Sequence, residues 1–309
     1  MVLFETNMVK PSFFIIGAPK CGTTSLYHYL SQHPGIYMPQ AKKETGFWSP
    51  DVPVRQNLHD KNVYLSLFSG ARAGQIAGEA STNYLYSRCA PTSIKEFNPY
   101  SRIIVSFRNP VDMLHSLHSE FLWLGVEQER DFERCMQREL VAQGATGGVG
   151  ATVSPGGIPY LKRARYDEYL KRYLEVFGHE KVMVIVFDDL QRQSRAVVSD
   201  IYRFLCVDVG FVPNLEPRNR SKRPRNLMLR RLASTIPMSL EWRVRLLLPP
   251  PVLRILTTMY RKATSIEVER QPLSDTLRGR LAKEFEPSIL RLGDMIGRDL
   301  TGWLLKEKE

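Results

Sequence analysis

The segment from residue 13 to residue 30 constrains the fold of this chain more than any other. Phe13-Phe14-Ile15-Ile16 is an unbroken apolar run that ends at Gly17. A run without polar alternation suits a strand covered on both faces, as in a parallel sheet. Gly17-Ala18-Pro19-Lys20-Cys21-Gly22 then turns the chain, and Thr23, Thr24 and Ser25 offer hydroxyl caps. Leu26, Tyr27, Tyr29 and Leu30 supply an apolar helical stripe that stops before Pro34. The segment therefore reads as strand, tight loop and helix.

The theme recurs. Residues 75–78 predict a short strand running into Glu79, residues 102–107 a stronger one, and residues 182–187 a third. Pro110 suits a first helical turn, and Leu114, Leu117, Phe121 and Leu124 share one face after it. Residues 166–177 and 197–205 read as two further helices. Alternating strands and helices predict an α/β fold with a central parallel sheet flanked by helices. We expect a single P-loop-like domain over 1–309: a core of 11–207, a basic loop at 208–226 and a helical C-terminal part at 227–309. Residues 143–159 are rich in glycine without a core-forming period and predict a loop. Residues 227–260 interleave arginine with Leu, Met and Trp242, which suits an amphipathic lid or a peripheral contact with lipid.

Composition narrows the partners. The net charge of +11 favours anionic ligands without choosing among them. The basic residues spread along the chain instead of forming one tail, so part of the surplus is solvated surface, and no nucleic-acid partner is expected. Cys21, Cys89, Cys135 and Cys206 form no CxxC pair and no metal spacing with histidine. They read as reduced thiols of a cytoplasmic protein, and no metal is expected. Residues 1–10 carry Glu5 and no long apolar core, which argues against a signal peptide, and no apolar run is long enough for a bilayer.

The first loop carries chemistry. Backbone N–H groups at a helix N-terminus bind anions, Gly22 permits close approach, and Lys20 adds a full positive charge. The loop departs from the G-x-x-x-x-G-K-[ST] pattern of nucleoside triphosphatases. Gly17 and Gly22 fit, but Thr23 stands where the lysine should, and Lys20 comes three residues earlier. A triphosphatase would lose the side chain that reaches the β- and γ-phosphates. Arg108 follows the 102–107 strand, at the strand end where open α/β sheets bind ligands, and an arginine fork suits a phosphate dianion.

These two segments carry a resemblance. Pro19-Lys20-Cys21-Gly22-Thr23-Thr24-Ser25-Leu26 resembles the 5′-phosphosulfate loop of sulfotransferases that use 3′-phosphoadenosine-5′-phosphosulfate (PAPS). Arg108-Asn109-Pro110-Val111-Asp112-Met113-Leu114-His115-Ser116 resembles their 3′-phosphate signature, which implies phosphate contacts from Arg108 and Ser116. Lys43-Glu44-Thr45-Gly46-Phe47-Trp48 is similar to the KE-x-x-F-F segment of the heparan-sulfate-type members. Residues 78–84 resemble their G-E-x-[ST]-P-x-Y segment, with Thr82 in place of proline. Val186-Phe187-Asp188-Asp189-Leu190 is similar to a family strand ending in Glu-Asp-Leu.

The resemblance implies transfer of a sulfuryl group from PAPS to an acceptor hydroxyl of a carbohydrate, lipid or other small alcohol. It assigns Glu44 as general base and Lys20 to the leaving-group charge. It gives cofactor contacts to Lys20, Cys21, Gly22, Thr23, Thr24, Ser25, Arg108 and Ser116, and to Arg220, Ser221, Lys222 and Arg223 of the basic loop. Glu44, Phe47, Trp48, Ser81 and Tyr84 fall on the acceptor side, and Glu79 is a second carboxylate that could serve as base. Two rivals remain open: an ATP-dependent P-loop phosphotransferase, and a non-enzymatic binder of anionic ligands.

Overall fold

The computed structural model describes residues 9–54, 57–146, 157–216, 222–224, 265–267 and 272–304. In chain order these form β1 (Pro11–Gly17), α1 (Thr23–Leu30), β2 (Ile36–Tyr37), α2 (Lys61–Ser66), β3 (Ile76–Ala80), α3 (Ala90–Phe97), β4 (Arg102–Phe107) and α4 (Pro110–Leu124). Then follow α5 (Phe132–Thr146), α6 (Tyr160–Arg163), α7 (Tyr166–Phe177), β5 (Val182–Val186), α8 (Phe187–Arg192), α9 (Ser194–Leu205), β6 (Lys222–Pro224), β7 (Ser265–Glu267) and α10 (Asp275–Ile296). A 3₁₀ turn, Thr82–Tyr86, follows β3 directly.

The chain divides into two compact units. The first comprises Met1–Met113, Arg163–Asn219 and Gly279–Glu309; the second comprises Leu114–Lys162 and Arg220–Arg278. The first holds a five-stranded sheet in the order β2-β3-β1-β4-β5. All four pairings are parallel. The chain leaves β1 towards β2 and β3 on one side, then returns to place β4 and β5 on the other. The C-terminal ends of β1 and β4 thus border a topological switch point, the place where open sheets hold ligands.

Central position explains the apolar run in β1. Phe13, Phe14, Ile15 and Ile16 are all 0% exposed. Each is worth up to about 1.5–3 kcal/mol of burial, which fixes β1 in the middle of the sheet. Leu26 and Leu30 of α1 and Ile201 and Leu205 of α9 pack with Ile15, Ile104 and Ile185 on one face. On the other face α7 packs against β4 and β5, with Tyr166 stacked on Phe107 at 4.5 Å between ring centroids. Asp167 of α7 is buried and accepts hydrogen bonds from Ser288 and from Arg291 Nε at 2.7 Å, which fastens α10.

In the second unit, Glu127 accepts the N–H groups of Gln128 and Glu129 at 2.7 and 2.9 Å and the Tyr160 hydroxyl at 3.3 Å. His118 bonds the Glu129 carbonyl at 2.8 Å. Both buried polar groups are accounted for structurally.

The structure corrects several expectations. Helix α5 runs to Thr146, so the first part of the expected 143–159 loop is helical; residues 147–156 lie outside the described residues. The third strand stops at Val186, and Phe187 opens α8. Asp188 and Asp189 in the first turn of α8 supply the negative charge that a helix N-terminus favours. The basic region 208–226 is not all loop: Lys222–Pro224 forms β6, which pairs antiparallel with Ser265–Glu267, a strand inside the expected helical part. The amphipathic segment 227–260 lies outside the described residues.

Candidate active site

The loop between β1 and α1 is pinned from behind. The Ala18 N–H donates to the Ser106 carbonyl at 2.8 Å, and the Ser106 hydroxyl donates to the Cys21 carbonyl at 2.7 Å. Ser106 belongs to β4, so this loop and the end of β4 form one assembly. Gly22 has φ +83°, and a Cβ there would lie 2.8 Å from Leu190 Cδ2 and 2.9 Å from the Phe187 ring. Only glycine meets both conditions. Lys20 also takes a left-handed backbone, with φ 63°. That conformation costs a non-glycine residue about 1–2 kcal/mol, and such residues concentrate at ligand sites. Helix α1 has no acidic residue in its first turn and no side-chain cap, so its N-terminal dipole faces the loop without a local anion.

Arg108 joins this assembly. Cys21 is fully buried; burial pushes its thiol up to about 12, against the opposing pull of Arg108 and of Lys20. The Arg108 guanidinium lies 5.0 Å from the centroid of the Phe187 ring, a cation–π arrangement. Its neighbour Asn109 donates to the Trp303 carbonyl at 2.9 Å and accepts the Val111 N–H at 3.0 Å. Trp303 Nε1 donates to Asp188 at 3.1 Å, and Arg298 pairs with Asp189 through both terminal nitrogens. The segment from 298 to 303 thus braces the Arg108 turn and α8 together.

A carboxylate stands at the neighbouring strand end. Glu44 Oε2 accepts the Thr82 N–H at 2.7 Å and the Thr82 hydroxyl at 3.3 Å, and Oε1 pairs with Lys43 at 2.6 Å. Its side chain is 42% exposed, so solvent and a ligand can reach it. Thr82 lies beside the first loop: a Cβ on Gly17 would sit 3.2 Å from the Thr82 carbonyl. The Ser81 N–H donates to the Ile15 carbonyl at 3.1 Å, which ties the end of β3 to the end of β1. Lys20, Arg108 and Glu44 are thereby carried on three adjoining turns along one edge of the sheet.

The sulfotransferase domain family matches residues 10–210, about two thirds of the chain. The chain belongs to that family. Human carbohydrate sulfotransferase 15 is 27% identical over 247 residues, covering 63% of this chain and 43% of that protein. Mouse bifunctional heparan sulfate N-deacetylase/N-sulfotransferase 4 is 24% identical over 210 residues, covering 64% of this chain and 22% of that protein. The chain spans less than half the length of these curated relatives. A solved sulfotransferase from Alicyclobacillus acidocaldarius is 29% identical with a TM-score of 0.71, covering 96% of this chain and 99% of that one.

The sulfotransferase family and the α/β fold with a parallel sheet accord with the sequence expectation. The expected site residues fall into several groups. Lys20, Gly22, Thr24 and Ser25 are half-buried at the loop and helix start, while Thr23 is buried. The Cys21 thiol faces the interior, which leaves its backbone as the part able to meet a ligand. Ser116 is buried on the part of α4 that belongs to the second unit. Lys222 and Arg223 lie on β6, and Arg220 and Ser221 lie outside the described residues.

The acceptor-side expectation needs the larger correction. Ser81 and Tyr84 are 1% and 0% exposed, with both hydroxyls spent on Glu79, so neither presents its side chain to an acceptor. Glu79 itself is 1% exposed, which removes it as an alternative base. Phe47 stacks on Tyr64 at 4.4 Å, and Trp48 packs on Phe97 at 4.8 Å and donates to the Tyr64 hydroxyl at 2.9 Å. Both stay half-buried and pack into the aromatic cluster of Tyr64 and Phe97. Sequence reasoning missed Thr82, Ser106, Phe187 and Trp303. The position of Thr82, where the resemblance expects a proline without an N–H, was the available signal for the first.

Proposed function

We propose that this sulfotransferase moves a sulfuryl group from PAPS to an acceptor hydroxyl, with Glu44 as general base and Lys20 as the leaving-group cation. The observation that carries the reading is the hydrogen-bonded union of the Lys20 loop with the end of β4, two residues before Arg108, beside an accessible carboxylate. The residues fit that donor. A left-handed Lys20 and the N-terminus of α1 suit one anionic end, and an arginine seated over the Phe187 ring suits a second phosphate. When bound, PAPS supplies the sulfuryl group and a phosphate leaving group.

The protein's part is positioning and charge stabilisation. Thr82 and Lys43 hold the Glu44 carboxylate from two sides and leave it exposed enough to accept the acceptor's proton. Lys20 meets the negative charge that grows on the leaving oxygen, as a cation does in phosphoryl transfer. Arg108 anchors the nucleotide and sets its register. The names of the curated relatives make carbohydrate hydroxyls the first acceptor class to test.

The test is transfer of radiolabelled sulfate from PAPS across a panel of carbohydrate, lipid and phenolic acceptors. Lys20→Ala and Glu44→Gln should each lower turnover at least about 100-fold while the unfolding curve stays in place. Arg108→Ala should weaken 3′-phosphoadenosine-5′-phosphate binding, read by calorimetry. Wild-type turnover in both catalytic variants, or turnover with ATP and Mg²⁺ but not with PAPS, would overturn the reading.

A further inference from the structure

Glu79 ends up in a place no surface carboxylate occupies. It lies on β3, opposite Phe14 in the pairing with β1, and is 1% exposed. Four hydroxyl groups converge on it. Tyr64 reaches Oε2 at 2.6 Å; Ser81 and Tyr84 reach Oε1 at 3.0 and 2.5 Å; Thr45 also donates to Oε1. Burying a carboxyl group without such partners costs several kcal/mol, so the four hydroxyls are the reason it is tolerated. Burial raises its pKa, and the hydrogen bonds from Thr45, Tyr64, Tyr84 and Ser81 oppose the rise.

The arrangement has a direction. Thr45 is covalently next to Glu44, and Ser81 is next to Thr82, the residue that holds the Glu44 carboxylate. The Ser81 hydroxyl accepts the N–H groups of Thr45 and Gly46 at 2.8 and 3.1 Å while donating to Glu79. The hydroxyl of Thr45 accepts the Phe47 N–H at 3.3 Å, and that of Tyr84 accepts the Trp48 N–H at 3.3 Å. The backbone on both sides of Glu44's anchor is therefore referred to one buried group. Glu79 cannot touch an acceptor, yet both strands of the cradle around Glu44 are bonded through it.

We infer that Glu79 is the positioning residue for the Glu44 base: it fixes the 44–48 segment against the 81–84 turn, and so sets where the Glu44 carboxylate stands. The inference rests on Glu44 being the base. A misplacement of about 1 Å at a reacting group can cost on the order of 100-fold in rate, so loosening this hub should reach kcat without disturbing the nucleotide.

A double-mutant cycle tests it, with wild type, Glu79→Gln, Glu44→Gln and the double variant. Turnover is read at saturating PAPS and acceptor, and 3′-phosphoadenosine-5′-phosphate affinity by calorimetry. Glu79→Gln should lower kcat about 10- to 100-fold with nucleotide affinity unchanged, and should cost less than about 2-fold when Glu44 is already Gln. A full loss in both backgrounds, or a parallel loss of nucleotide affinity, overturns the inference and leaves a structural role. A Glu44→Gln enzyme at the wild-type rate overturns the base assignment and this inference with it. If Glu79→Gln does not fold, Ser81→Ala replaces it in the same cycle. That variant removes the hydroxyl bridging the two segments but keeps the carboxyl group, and the same outcomes decide.

Discussion

Gly22→Ala tests the tightest joint in the loop proposed to hold the donor. At this position φ is +83°, and the new methyl would sit 2.8 Å from Leu190 Cδ2 and 2.9 Å from two atoms of the Phe187 ring. The left-handed backbone alone costs an alanine about 1–2 kcal/mol. Overpacking adds about 1–3 kcal/mol, because Leu190 is buried and Phe187 is held under the Arg108 guanidinium, so neither can retreat freely. Gly74→Ala supplies the reference, since Gly74 has the same φ of +83° with nothing within 4 Å of a Cβ. The difference between the two variants in urea unfolding isolates the contact and should be about 1–3 kcal/mol. Displacing the Phe187 ring should also weaken 3′-phosphoadenosine-5′-phosphate binding about 2- to 5-fold, the worth of one cation–π contact of about 0.5–1 kcal/mol. Equal stabilities for the two variants, within about 0.5 kcal/mol, would refute the claim that α8 closes on the loop.

Other perturbations follow from the same contacts. Trp303→Phe removes the N–H that Asp188 accepts together with the five-membered half of a buried indole; the cost should be about 2 kcal/mol or more in urea unfolding, with little change in the m-value. Asp167→Asn strips the charge from a buried acceptor of Ser288 and Arg291 and should cost about 1–3 kcal/mol by the same measurement. Cys89 and Cys206 are exposed while Cys21 and Cys135 are buried, so iodoacetamide at pH 8 should modify two sites in the native protein and four after denaturation, counted by mass spectrometry. With its pKa pushed to about 12, Cys21 holds on the order of one part in ten thousand thiolate at pH 8, and rapid native labelling of it would contradict its burial.

How much of this was legible in the residues depends on the range of the interaction. Strands β1 and β4 and helix α7 came out near their observed bounds because an apolar run or a helical stripe is a local signal. The two cationic loops were legible for the same reason, each lying at the end of such a strand. Strand β2 has two residues and carries no period of its own; it exists because β3 offers it a partner. Phe187 extends the apolar run of β5, and only the aspartates after it mark the helix that it opens. The Glu79 hub was hidden because its hydroxyls come from positions 45, 64, 81 and 84, and nothing in their spacing predicts convergence. Ser81 and Tyr84 were misplaced for that reason: their sequence neighbourhood suggested the acceptor, while their bonds face inward.

The brace between Asn109 and Trp303 spans 194 positions of the chain. Closing so wide a circuit is entropically slower to be rewarded than zipping neighbouring strands, so such a bond sets late. The sheet can assemble from its own apolar runs, whereas the turn presenting Arg108 waits for a distant part of the polypeptide to arrive. On the proposed function, competence to grip a nucleotide is then a final act of maturation. A refolding chain should recover its far-ultraviolet signal before it can capture 3′-phosphoadenosine-5′-phosphate, and simultaneous recovery in stopped flow would contradict that order.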